Sequence, residues 1–303
     1  MQRVVSIVGP TAVGKSALAL KLTGDFKGEI ISADSRQIYK MLDIGTAKPT
    51  VAEQKLTPHH LIDVVVPDQD FSLAQYQQQA YQAIDAISAR GKIPILAGGS
   101  GLYVWAVLEG WQIPKVAPDS TLRHELEARA AGGEAAQLFA ELQQLDAEAA
   151  ARIDSRNVRR VIRALEIKHH PEKVAAPSKV LPPFESMTIG LTCPRELLYE
   201  RIDQRVEAMM KQGLVDEVKG LIETGYVAEL PSMSGIGYRQ IAAYLSGSIN
   251  LADAIQQIKY ESHRLARQQY NWFSLKNDII RWFDITDNFY DDLHRLVSNF
   301  LEV

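Results

Sequence analysis

Residues Gly9-Pro10-Thr11-Ala12-Val13-Gly14-Lys15-Ser16 decide the fold of this chain. They follow the apolar run 4–8 and lead into the helix-forming run 17–22, so they connect a strand to a helix. They match the pattern G-x-x-x-x-G-K-[ST], in which the glycines let successive backbone N–H groups converge on an anion. The lysine adds positive charge, the final hydroxyl can bind Mg²⁺, and the helix N-terminus contributes its dipole. This stretch, called the P-loop below, predicts a phosphate-binding site at the edge of a parallel sheet.

The composition is that of an ordinary globular protein. The chain has 303 residues, of which 46% are hydrophobic and 23% charged, so it can form one large or two modest domains. Its single cysteine, Cys193, cannot form an internal disulfide, which favours a reducing cytoplasmic location; we expect neither a leader nor a membrane span. The net charge is -4, so any contact with nucleic acid must come from local basic patches. No pattern indicates an obligate protein partner.

Polar residues follow two further predicted strands. One strand, 29–33, leads into Asp34, and another, 92–97, leads into Gly98-Gly99-Ser100. Because ligands bind at the carboxyl ends of parallel strands, we expect Asp34 and Ser100 to lie near the P-loop. An aspartate at this position could equally cap a following turn.

These strand ends argue against ordinary phosphoryl transfer. A typical P-loop ATPase has a strand that ends in Asp, which helps to hold Mg²⁺ and water. Here that strand ends in Gly98-Gly99-Ser100, and Asp63 lies inside the predicted strand 59–66. The pattern favours a site where amides and a hydroxyl stabilise negative charge. His59 and His60 point to opposite sides of an extended segment, which indicates hydrogen bonding rather than shared metal binding.

The remaining pattern predicts alternating helices and strands with one insertion. A helix over 72–90 begins after the N-cap Ser72, and a long helix spans 251–275. We expect the seam of the long helix to be packed in the core; its members are Leu251, Ile255, Ile258, Ser262, Leu265 and Trp272.

The composition changes at about residue 119. Residues 119–151 predict helices that break at Gly132-Gly133, and the proline-rich segment 169–183 precedes a strand over 187–192. The chain is therefore predicted to be an α/β protein with a P-loop NTPase-like parallel-sheet core, formed by 1–118 and 187–303. An all-helical domain, 119–186, is inserted in it.

Four arginines are predicted to share one face of a helix in this insertion. Arg156, Arg159, Arg160 and Arg163 follow i, i+3, i+4, i+7 spacing, and the opposite face is apolar. Such a row is either a solvated face with local ion pairs or a phosphate-backbone contact. Arg201 and Arg205 form a second pair, one turn apart, typical of a helix that covers a phosphate loop.

The chain resembles the bacterial tRNA dimethylallyltransferases, also called tRNA isopentenyltransferases. The resemblance covers nearly the whole chain, from residue 9 to about 272. Besides the P-loop, it rests on the motifs Asp-Ser-Arg-Gln-Ile-Tyr at 34–39, Asp-Ile-Gly-Thr-Ala-Lys-Pro at 43–49, Gly-Gly-Ser-Gly-Leu-Tyr at 98–103, Arg-Arg-Val-Ile-Arg-Ala-Leu-Glu at 159–166, Pro-Ser-Met at 231–233 and Gly-Tyr-Arg-Gln at 237–240.

The resemblance implies transfer of a dimethylallyl group from its diphosphate to the exocyclic N6 amine of the adenosine 3′ of the tRNA anticodon. It implies that the P-loop, with Lys15 and with Mg²⁺ at Ser16, holds the diphosphate. Arg205, or less favourably Arg201, would close over that group. Asp34 would be the general base.

The resemblance also implies a set of RNA contacts. Ser100 stands where the family most often has Thr, and its hydroxyl would contact the substrate. Ser35, Arg36 and Gln37 would contact the nucleotide that is flipped out of the stacked loop. The insertion would bind the anticodon stem-loop through Arg123 and the segment Arg159, Arg160, Val161, Ile162 and Arg163. Ser234 stands where many relatives carry Arg, so no phosphate contact is transferred to it.

Three other functions share part of this pattern. An adenylate isopentenyltransferase acting on free nucleotides shares the P-loop and the aspartate but needs no stem-loop platform. A small-molecule kinase fits the Gly-Gly-Ser strand end and the insertion poorly. A noncatalytic RNA-binding module would need no complete phosphate site.

Overall fold

The computed structural model of the protein describes residues 1–113, 120–169 and 179–302. Its contacts divide the chain into two compact units, here called the core unit (Met1–Gly110 with Leu181–Val303) and the helical unit (Trp111–Val180). The predicted boundary at 118/119 lies outside the described residues, as does most of the predicted proline-rich segment. No helix in the described part of the chain is both long and apolar enough to cross a membrane.

The core unit contains a parallel sheet in the order β3-β2-β4-β1-β5-β6, which confirms the predicted α/β class. The three central strands, 2–8, 28–32 and 93–97, are largely buried on both faces, as the inner strands of a parallel sheet require, whereas the edge strands are mostly half-buried. The strands are β1 Gln2–Val8, β2 Gly28–Ser32, β3 His59–His60, β4 Ile93–Ala97, β5 Phe184–Thr192 and β6 Ile280–Asp284. β5 begins three residues before the predicted Met187, because Phe184 already pairs with Gln2 at the start of β1.

The helices of the core unit cover the sheet and reach beyond its carboxyl ends. They are α1 Lys15–Phe26, α2 Val51–Leu56, α3 Leu73–Ala89, α4 Gly101–Leu108, α9 Arg195–Lys211, α10 Leu214–Glu223, α11 Tyr238–Leu245, α12 Leu251–Trp272 and α13 Tyr290–Glu302. The predicted N-cap Ser72 is confirmed, since its Oγ accepts a hydrogen bond from Gln75 N at 3.2 Å. In return, Gln75 Oε1 accepts a hydrogen bond from Ser72 N.

The helical unit has its own apolar core. Its helices are α5 Ser120–Arg129, α6 Ala135–Leu145, α7 Ala147–Ala151 and α8 Val158–Lys168. Leu126, Leu138 and Leu142 pack against Val161 and Leu165 of α8. The predicted break at Gly132-Gly133 is confirmed, because Gly133 has a φ of 95° within the π-helical turn Ala130–Glu134.

The predicted strand 59–66 is wrong beyond its second residue. β3 ends at His60 because Leu61 and Asp63 have φ angles of 61° and 55°, which an extended strand does not allow. The Asp63 carboxylate instead accepts a hydrogen bond from the buried Lys48 Nζ at 2.6 Å. Asp63 therefore lies in a turn, where it stabilises the loop that precedes α2.

The two histidines of β3 form hydrogen bonds, as predicted. His59 Nδ1 lies 3.0 Å from Thr57 O, and His60 Nε2 lies 2.7 Å from Glu29 Oε2 in the neighbouring strand. Among the described residues, no group of three or more His, Cys, Asp or Glu side chains could hold a metal ion.

Candidate active site

The P-loop links β1 to α1 through a backbone that only particular residues tolerate. Gly9 and Gly14 have φ angles of 141° and 108°, and a Cβ on Gly9 would lie 2.5 Å from the carbonyl oxygen of Leu191. Ala12 also has a positive φ, 63°, which is uncommon for a residue with a side chain. Contacts from the surrounding structure must therefore hold Ala12 in this conformation.

Lys15 connects the loop to the charged groups around it. Its Nζ donates hydrogen bonds to Gly9 O at 3.0 Å and to Pro10 O at 2.7 Å. Burial, reinforced by the Arg205 guanidinium and opposed by the Asp34 carboxylate, lowers the pKa of Lys15 to about 7. Two cationic side chains and one carboxylate thus influence one another here, as expected of a site for an anionic ligand.

The structure brings the ends of β2 and β4 together. Ala33 N donates to Ala97 O at 2.8 Å, and Ser100 Oγ accepts a hydrogen bond from Ser35 N at 3.0 Å. Asp34 Oδ1 accepts one from Arg36 N at 2.8 Å, so the turn-stabilising interpretation of this aspartate is correct. Asp34 also lines the cavity described below, so the two interpretations do not exclude each other.

Arg36 and Gln37 have different surroundings, although they are adjacent. The Arg36 guanidinium lies beside the cavity and donates a hydrogen bond to Ser234 Oγ at 3.2 Å. The Gln37 amide is used within its own loop, accepting from Ser32 Oγ at 2.9 Å and donating to Ala47 O at 3.2 Å. Of this pair, only Arg36 is brought to the cavity.

One cavity of about 420 Å³ in the core unit collects these groups. Thr11 of the P-loop, the turn 34–36 and the turn 99–102 form its polar side. Helices α9 and α12 form an apolar wall with Ile202, Val206, Met209, Ile258, Leu265 and Trp272. The cavity therefore joins a phosphate loop, a carboxylate and an apolar surface.

The expectation that the α12 seam is packed throughout is wrong at its carboxyl end. Leu265 and Trp272 are 36% and 40% exposed, and both line the cavity together with Ser262. Periodicity alone cannot distinguish an apolar side chain in a core from one in a cavity wall.

Arg201 and Arg205 contact different parts of the site. Arg201 Nε donates to Ala12 O of the P-loop at 2.9 Å, and Arg201 is not among the residues that line the cavity. Arg205 lines the cavity. Burial lowers the pKa of Arg205, and the nearby Asp34 carboxylate acts in the opposite direction.

Within the helical unit, the predicted row of four arginines on one helical face is wrong at Arg156, whereas Arg159, Arg160 and Arg163 lie on α8. Arg156 precedes α8 and its guanidinium binds Asp154 at 2.7 Å. Arg163 donates to the fully buried Glu166 at 3.2 Å, and Arg123 binds the same carboxylate through two hydrogen bonds of 2.9 Å. Val161 and Ile162 are buried in the unit's core, at 1% and 4% exposure.

Arg159 and Arg160 are the members of the row that remain open to a ligand. Both are exposed, and no side-chain hydrogen bond or ion pair joins either to another described residue. Local ion pairs are confirmed for Arg156 and Arg163, whereas a phosphate contact by Arg159 and Arg160 stays a prediction.

Comparison with known families places the chain. A family described as IPP transferase matches residues 37–277. The chain belongs to the IPP transferase family. This confirms the predicted resemblance and the predicted prenyltransferase activity, and it overturns the kinase and noncatalytic alternatives.

Named relatives of this IPP transferase span almost its whole length. The tRNA dimethylallyltransferase of Dehalococcoides mccartyi is 50% identical over 97% of this chain and 91% of that protein. The one from Roseiflexus castenholzii is 54% identical over 91% of both chains. The crystal structure of a tRNA isopentenylpyrophosphate transferase from Bacillus halodurans matches with a TM-score of 0.74 and 40% identity, covering 100% of this chain and 97% of that one. The crystal structure of a eukaryotic dimethylallyltransferase that acts on tRNA matches with a TM-score of 0.83 and 26% identity. The match covers 100% of this chain and 80% of that one.

Sequence reasoning missed one buried residue in the site of this IPP transferase. Gln269 of α12 is 7% exposed, accepts a hydrogen bond from Thr11 N at 2.7 Å and donates one to Gly99 O at 3.1 Å. The sequence contains a signal for this residue, because position 269 has the same helical spacing as the seam positions 258, 262, 265 and 272. A polar residue on an otherwise apolar seam marks a buried hydrogen-bonding position.

Proposed function

We propose that this IPP transferase moves a dimethylallyl group from dimethylallyl diphosphate to the exocyclic amine of the adenosine 3′ of the anticodon in tRNA. One observation carries the proposal: Thr11 of the P-loop, Asp34 and an apolar wall line a single cavity. A prenyl diphosphate needs a phosphate site next to an apolar one, and the attacking amine needs a proton acceptor. The relatives named above are all tRNA enzymes, which supports the choice of acceptor.

The leaving diphosphate is assigned to the P-loop. As the allylic carbon–oxygen bond breaks, negative charge grows on the diphosphate, and preorganised N–H groups and cations stabilise it. Lys15 within the loop and Arg205 in the cavity wall are two cationic side chains that influence each other there, and an anion bound beside Lys15 would raise its lowered pKa again. We assign the covering role to Arg205 because it lines the cavity, whereas Arg201 donates its hydrogen bond to the backbone of Ala12.

The residues present fit a bound Mg²⁺. The Ser16 side chain at the start of α1 is exposed, and its hydroxyl has no hydrogen bond to another described residue. Mg²⁺ is commonly held by one or two protein oxygens together with substrate phosphates and water, so Ser16 and a diphosphate suffice. When bound, the ion supplies charge neutralisation for the diphosphate.

Asp34 is assigned as the group that accepts the proton of the amine. Its Oδ1 is oriented by Arg36 N, which fixes the carboxylate at the edge of the cavity. The Ser35 and Ser100 hydroxyls and the Arg36 guanidinium also line the cavity and can donate hydrogen bonds to the flipped nucleotide. Gln37 is left out of this set because its amide is bonded within its loop.

The helical unit is assigned to the RNA backbone. The exposed Arg159 and Arg160 offer guanidinium groups that suit phosphate. Arg123 and Arg163, bound to the buried Glu166, contribute less net charge and fix the shape of this surface. The cytoplasmic location stays a prediction from the sequence.

The proposal is tested by following a labelled dimethylallyl group. The protein is incubated with labelled dimethylallyl diphosphate and Mg²⁺, and with an anticodon stem-loop, a matched stem-loop carrying guanosine at the target position, or AMP. The proposal predicts label only in the adenosine stem-loop. Label in AMP would make free nucleotides the acceptor, and equal label in both stem-loops would contradict the assigned target.

A further inference from the structure

Helices α9 and α12 both contact the P-loop, and Gln269 of α12 also lines the cavity. Arg201 of α9 binds the carbonyl oxygen of Ala12, and Gln269 of α12 binds the amide of Thr11, at 2.9 and 2.7 Å. The two contacts fall on adjacent residues of the loop, one of which, Ala12, has a φ of 63°. The contacts therefore act on the part of the loop that is least stable by itself.

The other end of the Gln269 amide reaches the turn after β4. Its Nε2 donates to Gly99 O at 3.1 Å, and a Cβ on residue 99 would lie only 2.2 Å from that nitrogen. Residue 99 must therefore be glycine for this contact to form. The site requires an acceptor toward Thr11 N and a donor toward Gly99 O, which an amide supplies and an ionised carboxylate or an ammonium does not.

A further hydrogen bond links the turn after β4 to the segment that carries the proposed general base, Asp34. Ser100, which follows Gly99, accepts a hydrogen bond from Ser35 N at 3.0 Å, and Ser35 follows Asp34. Gln269 is thus bonded to the loop assigned to the diphosphate and, through Gly99, to the turn that carries the carboxylate.

We propose that Gln269 is a positioning residue that fixes the P-loop relative to the Gly99–Ser100 turn and so sets where the diphosphate lies with respect to Asp34. The inference rests on the proposed function only in taking the ligand of the loop to be a diphosphate. Gln269 acts through Thr11 and Gly99, without itself taking part in the chemical step.

The first test removes both hydrogen bonds with little change in volume. Gln269→Met should raise the Kd of inorganic diphosphate, measured calorimetrically with Mg²⁺, by about tenfold, since two buried bonds are lost. It should also lower kcat, because the loop and the turn are no longer held together. The matched control is Gln257→Ala, which changes an exposed glutamine of the same helix and should leave both values unchanged. Thermal unfolding of each variant checks the fold, and Gln269→Ala repeats the measurement if Met does not pack.

The second test separates positioning from direct contact with the ligand. Glycine adopts a positive φ as readily as a negative one, so Ala12→Gly lets the loop keep its shape with less outside support. If Gln269 acts by positioning, the loss of diphosphate affinity caused by Gln269→Met should be at least threefold smaller in the Ala12→Gly background.

The outcomes are distinct. Equal losses in the two backgrounds mean direct contact with the ligand, and no loss in either means no role; each result overturns the inference while leaving the proposed function intact. Failure of the parent protein to bind diphosphate would instead refute the proposed function.

Discussion

At the scale of single residues, the site depends on side chains that have two functions. Each forms a hydrogen bond to the backbone and is also assigned a role in binding or reaction of the ligand. Asp34 uses one carboxylate oxygen to stabilise its own turn, and Lys15 bonds to two carbonyls of the loop whose ligand it is assigned to bind. Substitutions that keep the structural bond while removing the chemical function are therefore the informative ones.

Asp34→Asn should separate these two functions. The asparagine Oδ1 can still accept the hydrogen bond from Arg36 N, so the turn is retained, but a neutral amide cannot accept the proton of the amine. We expect an unchanged Kd for diphosphate and a fall in single-turnover rate of about two or more orders of magnitude. Near-parental turnover would rule out Asp34 as the general base.

Ser16→Ala should change the metal requirement. Because the lost hydroxyl is the protein oxygen assigned to Mg²⁺, the Mg²⁺ concentration that gives half-maximal diphosphate binding should rise about fivefold or more. A titration of Mg²⁺ at fixed diphosphate measures this. Ser248→Ala, at an exposed serine after α11, is the control. An unchanged requirement in Ser16→Ala would show that the ion is held without Ser16.

At the scale of elements, α8 shows how burial divides a run of like charges. Its amino-terminal arginines, Arg159 and Arg160, are exposed. Arg163 instead forms an ion pair with Glu166, whose side chain is fully buried. The sequence spacing indicates a common face but does not reveal that a carboxylate at 166 lies beneath it.

The exposed pair should carry the salt-dependent part of RNA binding. Changing Arg159 and Arg160 together to Ala removes two potential phosphate contacts, so the slope of log K against log salt should become shallower by about 1–2. Anticodon stem-loop binding between low and moderate salt measures the slope. Arg295→Ala, an exposed arginine of α13 that binds Asp292, should leave it unchanged. A parental slope in the double variant would assign α8 to the solvated surface.

β2 contains a buried carboxylate whose ionisation should affect stability. Burial by itself raises the pKa of Glu29, but hydrogen bonds from Arg90, His60 and Lys92 outweigh it and lower the pKa from 4.5 to about 2. A carboxylate whose folded-state pKa is lowered adds stability above its unfolded pKa and loses it as the pH falls toward the folded value.

The stability of the parent protein should therefore fall between pH 5 and pH 3 by on the order of 1–2 kcal/mol more than that of Glu29→Gln. At neutral pH the variant should be the less stable of the two, because Gln lacks the charge that binds Arg90 and Lys92. Urea unfolding at a series of pH values gives both quantities. Parallel pH profiles for the two proteins would contradict this role of Glu29.

At the scale of the whole molecule, the sequence predicts the parts of the site that depend on local pattern. The P-loop, the polar ends of β2 and β4 and the N-cap of α3 follow from spacing and cap residues, and the structure has them where expected. The errors arise from tertiary contacts. β3 is short because Leu61 and Asp63 adopt positive φ, and Gln269 is functional because two distant turns meet at its amide.

The central claim is that the P-loop holds a leaving group, so that the bond broken is carbon–oxygen rather than phosphorus–oxygen. A dimethylallyl diphosphate labelled with tritium in the prenyl group and with radioactive phosphorus in the diphosphate tests this directly, with Mg²⁺ and an anticodon stem-loop as acceptor. We expect tritium in the RNA and all of the radioactive phosphorus released as free diphosphate. Radioactive phosphorus in the RNA, or its release without tritium transfer, would contradict it.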